Sequence, residues 1–322
     1  MFLNEYKDYG SFYTGFLSLD YYLEGIPRGY LLEFSGRESS YKTTLVQQIF
    51  GTVQKKYPDV RYLYIDTEGN ITKDYFEACG GNSATTEFLQ ENLSEEVLDY
   101  VHEFIIKNNA DEVTSLVAVD SIAGFTTAHE VKQGITKATM GDVPKIFNRF
   151  LRLTAIPLKK YGSTVIFNNQ LRDNLSSQFG GTTTPGGRGV KHWFKYRVSM
   201  YDLSSESKMS TLNSDEVSHP VSFVIEKGKN LTVYKGFTFT MDVILGKGFS
   251  RELDLINFGT NNGYIELKGH FYTLPNGEKF SSKNNLYDYL IGNADLIQNL
   301  YDEMLCPIKN ITEKSVVGVE SD

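Results

Sequence analysis

The sequence predicts an α/β protein: a core built on a mostly parallel, twisted sheet, with a small α+β domain behind it. Three observations carry that reading. Short apolar runs alternate with longer helical stretches; one run opens through a glycine onto a Lys-Thr pair at the head of a helix; and past Gly246-Lys247-Gly248 the pattern becomes a compact mixture of helix and hairpin. Strands covered on both faces read as continuous apolar runs, whereas a sheet with one wet face alternates. Strand–helix alternation then gives a doubly wound core.

Taken in order, Leu31-Leu32-Glu33-Phe34-Ser35 is the first buried strand. The loop from Gly36 leads into Thr44-Leu45-Val46-Gln47-Gln48-Ile49-Phe50, whose apolar spacing suits a helix. Arg61–Asp66 and Ser115–Asp120 are strands ending in acids, and Thr164–Gln170 is one ending in an amide. Helical stretches over 86–108 and 143–161 separate them. Tyr196–Tyr201, Val221–Ile225 and Phe237–Ile244 follow one another without long helices, so the sheet is expected to finish antiparallel. The expected domains are an arm at 1–12, a core at 13–246, a small domain at 247–310 and a flexible tail at 311–322.

At 322 residues, 40% apolar and 22% charged, the chain has an ordinary globular make-up, and no apolar run approaches the roughly 20 residues of a membrane span. The first residues lack the segments of an export signal, so a cytoplasmic location is expected, that of the host cell if the chain is viral. Cys79 and Cys306 stand in no metal-ligand spacing and read as reduced thiols. The net charge of −8 argues against nucleic acid, whose phosphates select Lys and Arg. The distribution argues for it: residues 141–200 hold ten basic side chains, among them Lys145, Arg149, Arg152, Arg172 and Arg188, against only Asp142 and Asp173.

The segment Gly36-Arg37-Glu38-Ser39-Ser40-Tyr41-Lys42-Thr43 has the spacing of a phosphate loop. Such a loop wraps backbone N–H groups and a helix N-terminus around nucleotide phosphates, with Lys as point charge and Thr on Mg²⁺. Tyr41 stands where the second glycine belongs; if that position takes φ > 0, the side chain costs roughly 1–2 kcal/mol. Two acids at strand ends support the motif. Asp120 fits the carboxylate of a Mg²⁺ shell, and Glu68, in Ile65-Asp66-Thr67-Glu68, fits a base that orients an attacking water. A helix-capping acid is the alternative for each. After Gln170, the run to Arg188 is crowded with Gly, Thr and Pro and reads as a flexible loop, whose amides, hydroxyls and arginines suit a nucleic-acid backbone.

These pieces together resemble the RecA-type strand-exchange recombinases, including phage members of the UvsX kind. The likeness spans Tyr13 to about Lys309, through GRESSYKTT (36–44), YIDTEGNITKDYFEACGG (64–81), VAVDSIAG (117–124), NNQLRDNLSSQFGGTTTPGGRGVK (168–191) and SRELDLINFGTNNGYIELKGHFYTL (250–274). It implies a RecA-like ATPase core binding ATP and Mg²⁺ through Gly36 to Thr44, with Thr43 and Asp120 on the metal. It further implies Glu68 as base, Lys42 on phosphate, Tyr75 stacked on adenine, and Gln170 coupling the γ-phosphate to DNA. Lys227 and Lys229 would reach the ATP of the next protomer in a helical filament. One DNA loop would run from His129 to Met140, with Lys132 and Lys137. The other would carry Arg172, Asn174, Ser176, Phe179, Gly180, Thr182, Thr183, Thr184, Gly186, Gly187 and Arg188. Single- and double-stranded DNA are the implied partners, with single-strand-binding and loader proteins beside them. Two rivals share the nucleotide site: a ring-shaped motor and an accessory that anneals single strands. The aromatic in the phosphate loop looks like the phage branch.

Overall fold

A computed structural model describes residues 8–134, 142–173, 182–183, 187–204, 209–212, 216–228 and 233–317. The chain divides into two compact units: Met1–Phe12, Pro27–Asp202 and Phe223–Thr238 form the first, and Tyr13–Ile26, Leu203–Ser222 and Phe239–Asp322 the second.

The first unit is a parallel sheet of β1 (Leu31–Gly36), β2 (Arg61–Asp66), β3 (Thr86–Gln90), β4 (Ser115–Asp120), β5 (Thr164–Gln170) and β6 (Tyr196–Asp202), in the order β6-β1-β5-β4-β2-β3. Helices α1 (Lys42–Lys56), α2 (Lys73–Ala78), α3 (Ser94–Ala110), α4 (Ala128–Gln133) and α5 (Asp142–Lys160) connect them. The register is the consequential feature. Gly36 pairs with Gln170 and with Met200, and Asp66 with Asp120, so the polar strand ends come into line at one edge. In sheets of this kind, ligands bind outside those carboxyl ends.

Apolar side chains of α3 and α5, including Val97, Val101, Ile105, Phe147 and Phe150, pack on Val117, Val165 and Phe167 of the sheet. Glu33, which breaks the apolar run of β1, is buried but paired: Arg197 Nε approaches its Oε2 at 2.5 Å and Asn169 Nδ2 donates to its Oε1 at 2.8 Å. Four of the expected strands lie where the sequence puts them. Residues 86–90 differ, forming edge strand β3 rather than the start of a helix, because Tyr62 to Asp66 take the segment as a parallel partner. Phe88 there stacks on Tyr64, and the helix starts only at Ser94, with Glu95 and Glu96 in its first turn.

In the second unit, β7 (Ser210–Leu212) pairs antiparallel with the start of β8 (Glu216–Gly228), and β9 (Thr238–Ile244) with β10 (Gly248–Phe249). This is the antiparallel finish expected from the sequence. A small sheet of β11 (Glu266–Lys268), β12 (Phe271–Thr273) and β13 (Lys279–Phe280) accompanies α6 (Arg251–Asn261), α7 (Lys283–Ile291) and α8 (Ala294–Val317). Their core gathers Leu253, Ile256, Phe258, Leu286, Leu290 and Met304 with Leu17 from the helix Leu17–Tyr22.

Candidate functional site

The phosphate loop closes β1 and opens α1. A Cβ on Gly36 would lie 2.2 Å from Ser40 Oγ and 2.7 Å from the Met200 carbonyl, so only glycine fits there. Tyr41 caps α1 with φ 63° and ψ 20°, the left-handed conformation that a glycine would take without strain. Ser39, at φ 59°, is left-handed as well. Lys42, largely buried, turns its ammonium back into the loop and donates to the carbonyls of Gly36 (3.2 Å) and Arg37 (2.8 Å) and to Ser40 Oγ (3.2 Å). Burial lowers its pKa, and the charges of Asp120, Glu68 and Glu38 oppose that shift. Arg37, Glu38 and Ser39 are exposed on the rim, whereas Ser40 and Thr44 are buried.

The neighbouring strand ends supply the acids. Asp120 is 7% exposed. Its pKa is raised by burial, against the pull of Thr43, Asn168 and Tyr64, which face it. Glu68 is exposed just beyond β2; Ser121 Oγ donates to its Oε1 at 2.6 Å and Gln170 Nε2 reaches the same atom at 3.4 Å. Asp66 shapes that turn by accepting from the backbone N–H groups of Glu68 (3.1 Å), Gly69 (2.8 Å) and Ile71 (2.9 Å). Thr67 knits the β2 end to the β4 end, donating to the Ser121 carbonyl and accepting from the Ser121 N–H.

On the other side of the loop, Tyr75 shares a 2.6 Å hydrogen bond with Thr44 Oγ1. Ser39 to Thr44, Tyr75 and Asp202 line a cavity of about 450 Å³. The donor set fits a nucleotide with a hard cation: an ammonium, loop amides, a threonine hydroxyl and one carboxylate, with room beside them for a planar base. Asp202, Ser121, Asp66, Tyr64 and Asn168 were not singled out from the sequence. Asp202, Ser121 and Asp66 could have been found as polar residues at or just past strand ends; the other two gave only a polar interruption of an apolar run.

The residues expected to meet DNA are placed in part. Lys145, Arg149 and Arg152 point outward along one face of α5, with Lys145 Nζ 3.4 Å from Asp142. Lys132 is exposed on α4, whose start carries a capping box between Thr127 and Glu130. The segment after Gln170 is closed by a two-residue antiparallel pairing of Arg172–Asp173 with Thr182–Thr183, and Gly187–Val190 is a short helix containing Arg188. Lys227 is not beside the phosphate loop; its Nζ donates to the carbonyls of Lys191 (2.9 Å) and His192 (2.8 Å). Lys137, Met140, Asn174, Ser176, Phe179, Gly180, Thr184, Gly186 and Lys229 lie outside the described residues.

A phosphate loop on a parallel sheet, with acids and an amide aligned at the adjoining strand ends, defines a P-loop nucleoside-triphosphatase. The family model of the RecA N-terminal domain matches residues 2–250, and the chain belongs to the RecA family. It is 29% identical over 314 residues to a protein named Protein RecA from Streptomyces avermitilis, covering 96% of this chain and 78% of that one. It is 28% identical over 307 residues to a Protein RecA of Mesomycoplasma hyopneumoniae strain 7448, covering 94% and 88%. The chain is thus a DNA-dependent ATPase of the recombinase class, from a family that binds ATP with Mg²⁺, acts on DNA and forms filaments. Among the described residues, no helix is long and apolar enough to cross a membrane.

Proposed function

We propose that the chain polymerises on single-stranded DNA as a helical filament, with ATP and Mg²⁺ held at the phosphate loop, and exchanges that strand with a homologous duplex. The observation that carries this is the convergence of Lys42, Thr43, Asp120, Glu68 and Gln170 at the ends of four neighbouring strands. Bound ATP supplies the phosphoanhydride, and its Mg²⁺ neutralises charge on the phosphate oxygens. Lys42 holds the phosphates, and Thr43 and Asp120 would hold the metal. Glu68, oriented by Ser121, takes the proton of a water aligned on the γ-phosphorus. Gln170 bridges from that carboxylate to the segment beginning at Arg172, so a change at Glu68 reaches the DNA-facing loop through one side chain. Tyr75 offers its ring to the base. Lys227 and Lys229 would complete the site of a neighbouring protomer. For Lys227 that requires release of the carbonyls of Lys191 and His192.

Lys132 and the 172–188 segment, extended by Lys145, Arg149 and Arg152, give a basic track for the DNA backbone, while sequence is read by base pairing. Single-strand-binding and loader proteins are the proposed helpers, and the cytoplasm, of a host if the chain is viral, is the proposed location. Lys42→Ala is expected to abolish nucleotide-dependent DNA binding. Glu68→Gln is expected to bind ATP and DNA while turnover falls by at least about a hundredfold. Filter binding and phosphate release measure the two, and normal ATPase in either variant would refute the assignment.

A further inference from the structure

Beneath the phosphate site, polar side chains intrude into the core. Tyr64 is fully buried, its ring set edge-on to Phe50 and Phe76, and its hydroxyl donates to Asp120 Oδ2 at 3.1 Å. Gln47, fully buried on α1 one turn after Thr43, lies beside that hydroxyl. Asn168, 1% exposed on β5 two residues before Gln170, lies beside Asp120. Both amides are costly where they are: Nε2 and Oε1 of Gln47 and Nδ2 and Oδ1 of Asn168 are buried, and beyond these approaches to Tyr64 and Asp120 none makes a hydrogen bond of full geometry. An unsatisfied buried amide costs about 1–3 kcal/mol, a penalty that leucine or isoleucine in its place would not incur. Three polar residues on three elements, Tyr64 and Asn168 beside the Asp120 carboxylate and Gln47 behind the Tyr64 hydroxyl, are poorly explained as packing.

We infer that Tyr64 and Asn168 are positioning residues that hold the Asp120 carboxylate in the orientation its divalent cation requires, with Gln47 supporting the Tyr64 hydroxyl from behind. This rests on the reading of the site as one for ATP and Mg²⁺. With Oδ2 engaged from below by Tyr64, the carboxylate cannot rotate about its last torsion without giving up that bond. Outer groups of this kind fix ligating carboxylates, and their removal typically costs 10–100-fold in metal affinity or activity. Because Gln47 shares a helix with Thr43 and Asn168 a strand with Gln170, the layer also ties together the elements that carry the two ends of the site.

The test is a Mg²⁺ titration of fluorescent ATP-analogue binding by the wild-type chain, Tyr64→Phe, Asn168→Leu and Gln47→Leu, each also measured in EDTA and by thermal melting. Tyr64→Phe and Asn168→Leu are expected to raise the half-saturating Mg²⁺ concentration about tenfold, with metal-free binding unchanged. Gln47→Leu, on a different element, is expected to raise it less while leaving the melting temperature level or higher. Unchanged Mg²⁺ dependence in all three, with melting shifts alone, would reduce these residues to packing and overturn the inference. A wild-type chain without Mg²⁺-dependent binding would overturn the nucleotide reading itself.

Discussion

Tyr41 concentrates what the sequence could and could not say at the level of single residues. The motif located the departure and made its cost conditional on a positive φ; the backbone supplies the condition, φ 63° at the cap of α1. The loop keeps a glycine's geometry without the glycine, at a strain of roughly 1 kcal/mol. Tyr41→Gly is therefore expected to raise stability toward denaturant by up to about 1 kcal/mol, less the entropy that glycine adds to the unfolded chain. Tyr41→Val, β-branched at φ > 0, should lower it. A denaturation midpoint that falls for glycine and rises for valine would contradict this account. Asp120 and Gln170 were legible because each ends an apolar run, and Glu68 because it follows the acid that ends one. Tyr64, Gln47 and Asn168 were not, because a polar residue inside such a run carries no sign of what it faces.

At the scale of elements, periodicity located most strands and α5 to within a residue or two, and failed where an edge strand and a helix adjoin without a marked boundary. Thr86 to Gln90 could join a helix by composition; only pairing with β2 makes it β3. The helices of the second unit hold a feature that no pattern signals. Asp20 and Asp254 are fully buried: Asp20 accepts from the N–H groups of Thr14 and Gly15 and from the Tyr301 hydroxyl, Asp254 from Ser18, and Arg251 lies near Asp20. Burial pushes Asp20 up to about 6 and Asp254 up to about 7, only partly offset by those hydrogen bonds. Folded-state pKa values above the unfolded ones mean stabilisation that is complete below about pH 4 and lost as pH rises through 6 to 7. Protection of α6 amides from hydrogen exchange should weaken by about 4 kcal/mol between pH 5 and 7.5, the larger share from Asp254. Asp254→Asn should flatten much of that slope. An exchange free energy that rises with pH in the wild-type chain would contradict the assignment of these carboxyls.

For the whole molecule, the strand-end register explains why distant segments make one site: Gly36, Asp66, Asp120 and Gln170 lie between 36 and 170 in sequence, yet pairing of β1 with β5 and of β2 with β4 aligns them. The chain is acidic overall with its basic residues concentrated at 141–200, the charge pattern that the proposed DNA track requires. Fold class and family were legible because motifs separated in sequence follow one another in a fixed order; the discontinuous units were not, because they bring together segments as far apart as Tyr13 and Phe239. The most direct test of the central claim is strand exchange between a circular single strand and a homologous linear duplex, followed on gels with ATP and Mg²⁺. The account predicts joint molecules maturing to nicked circles with the wild-type chain and none with Lys42→Ala. Annealing of complementary single strands without any duplex exchange would contradict it.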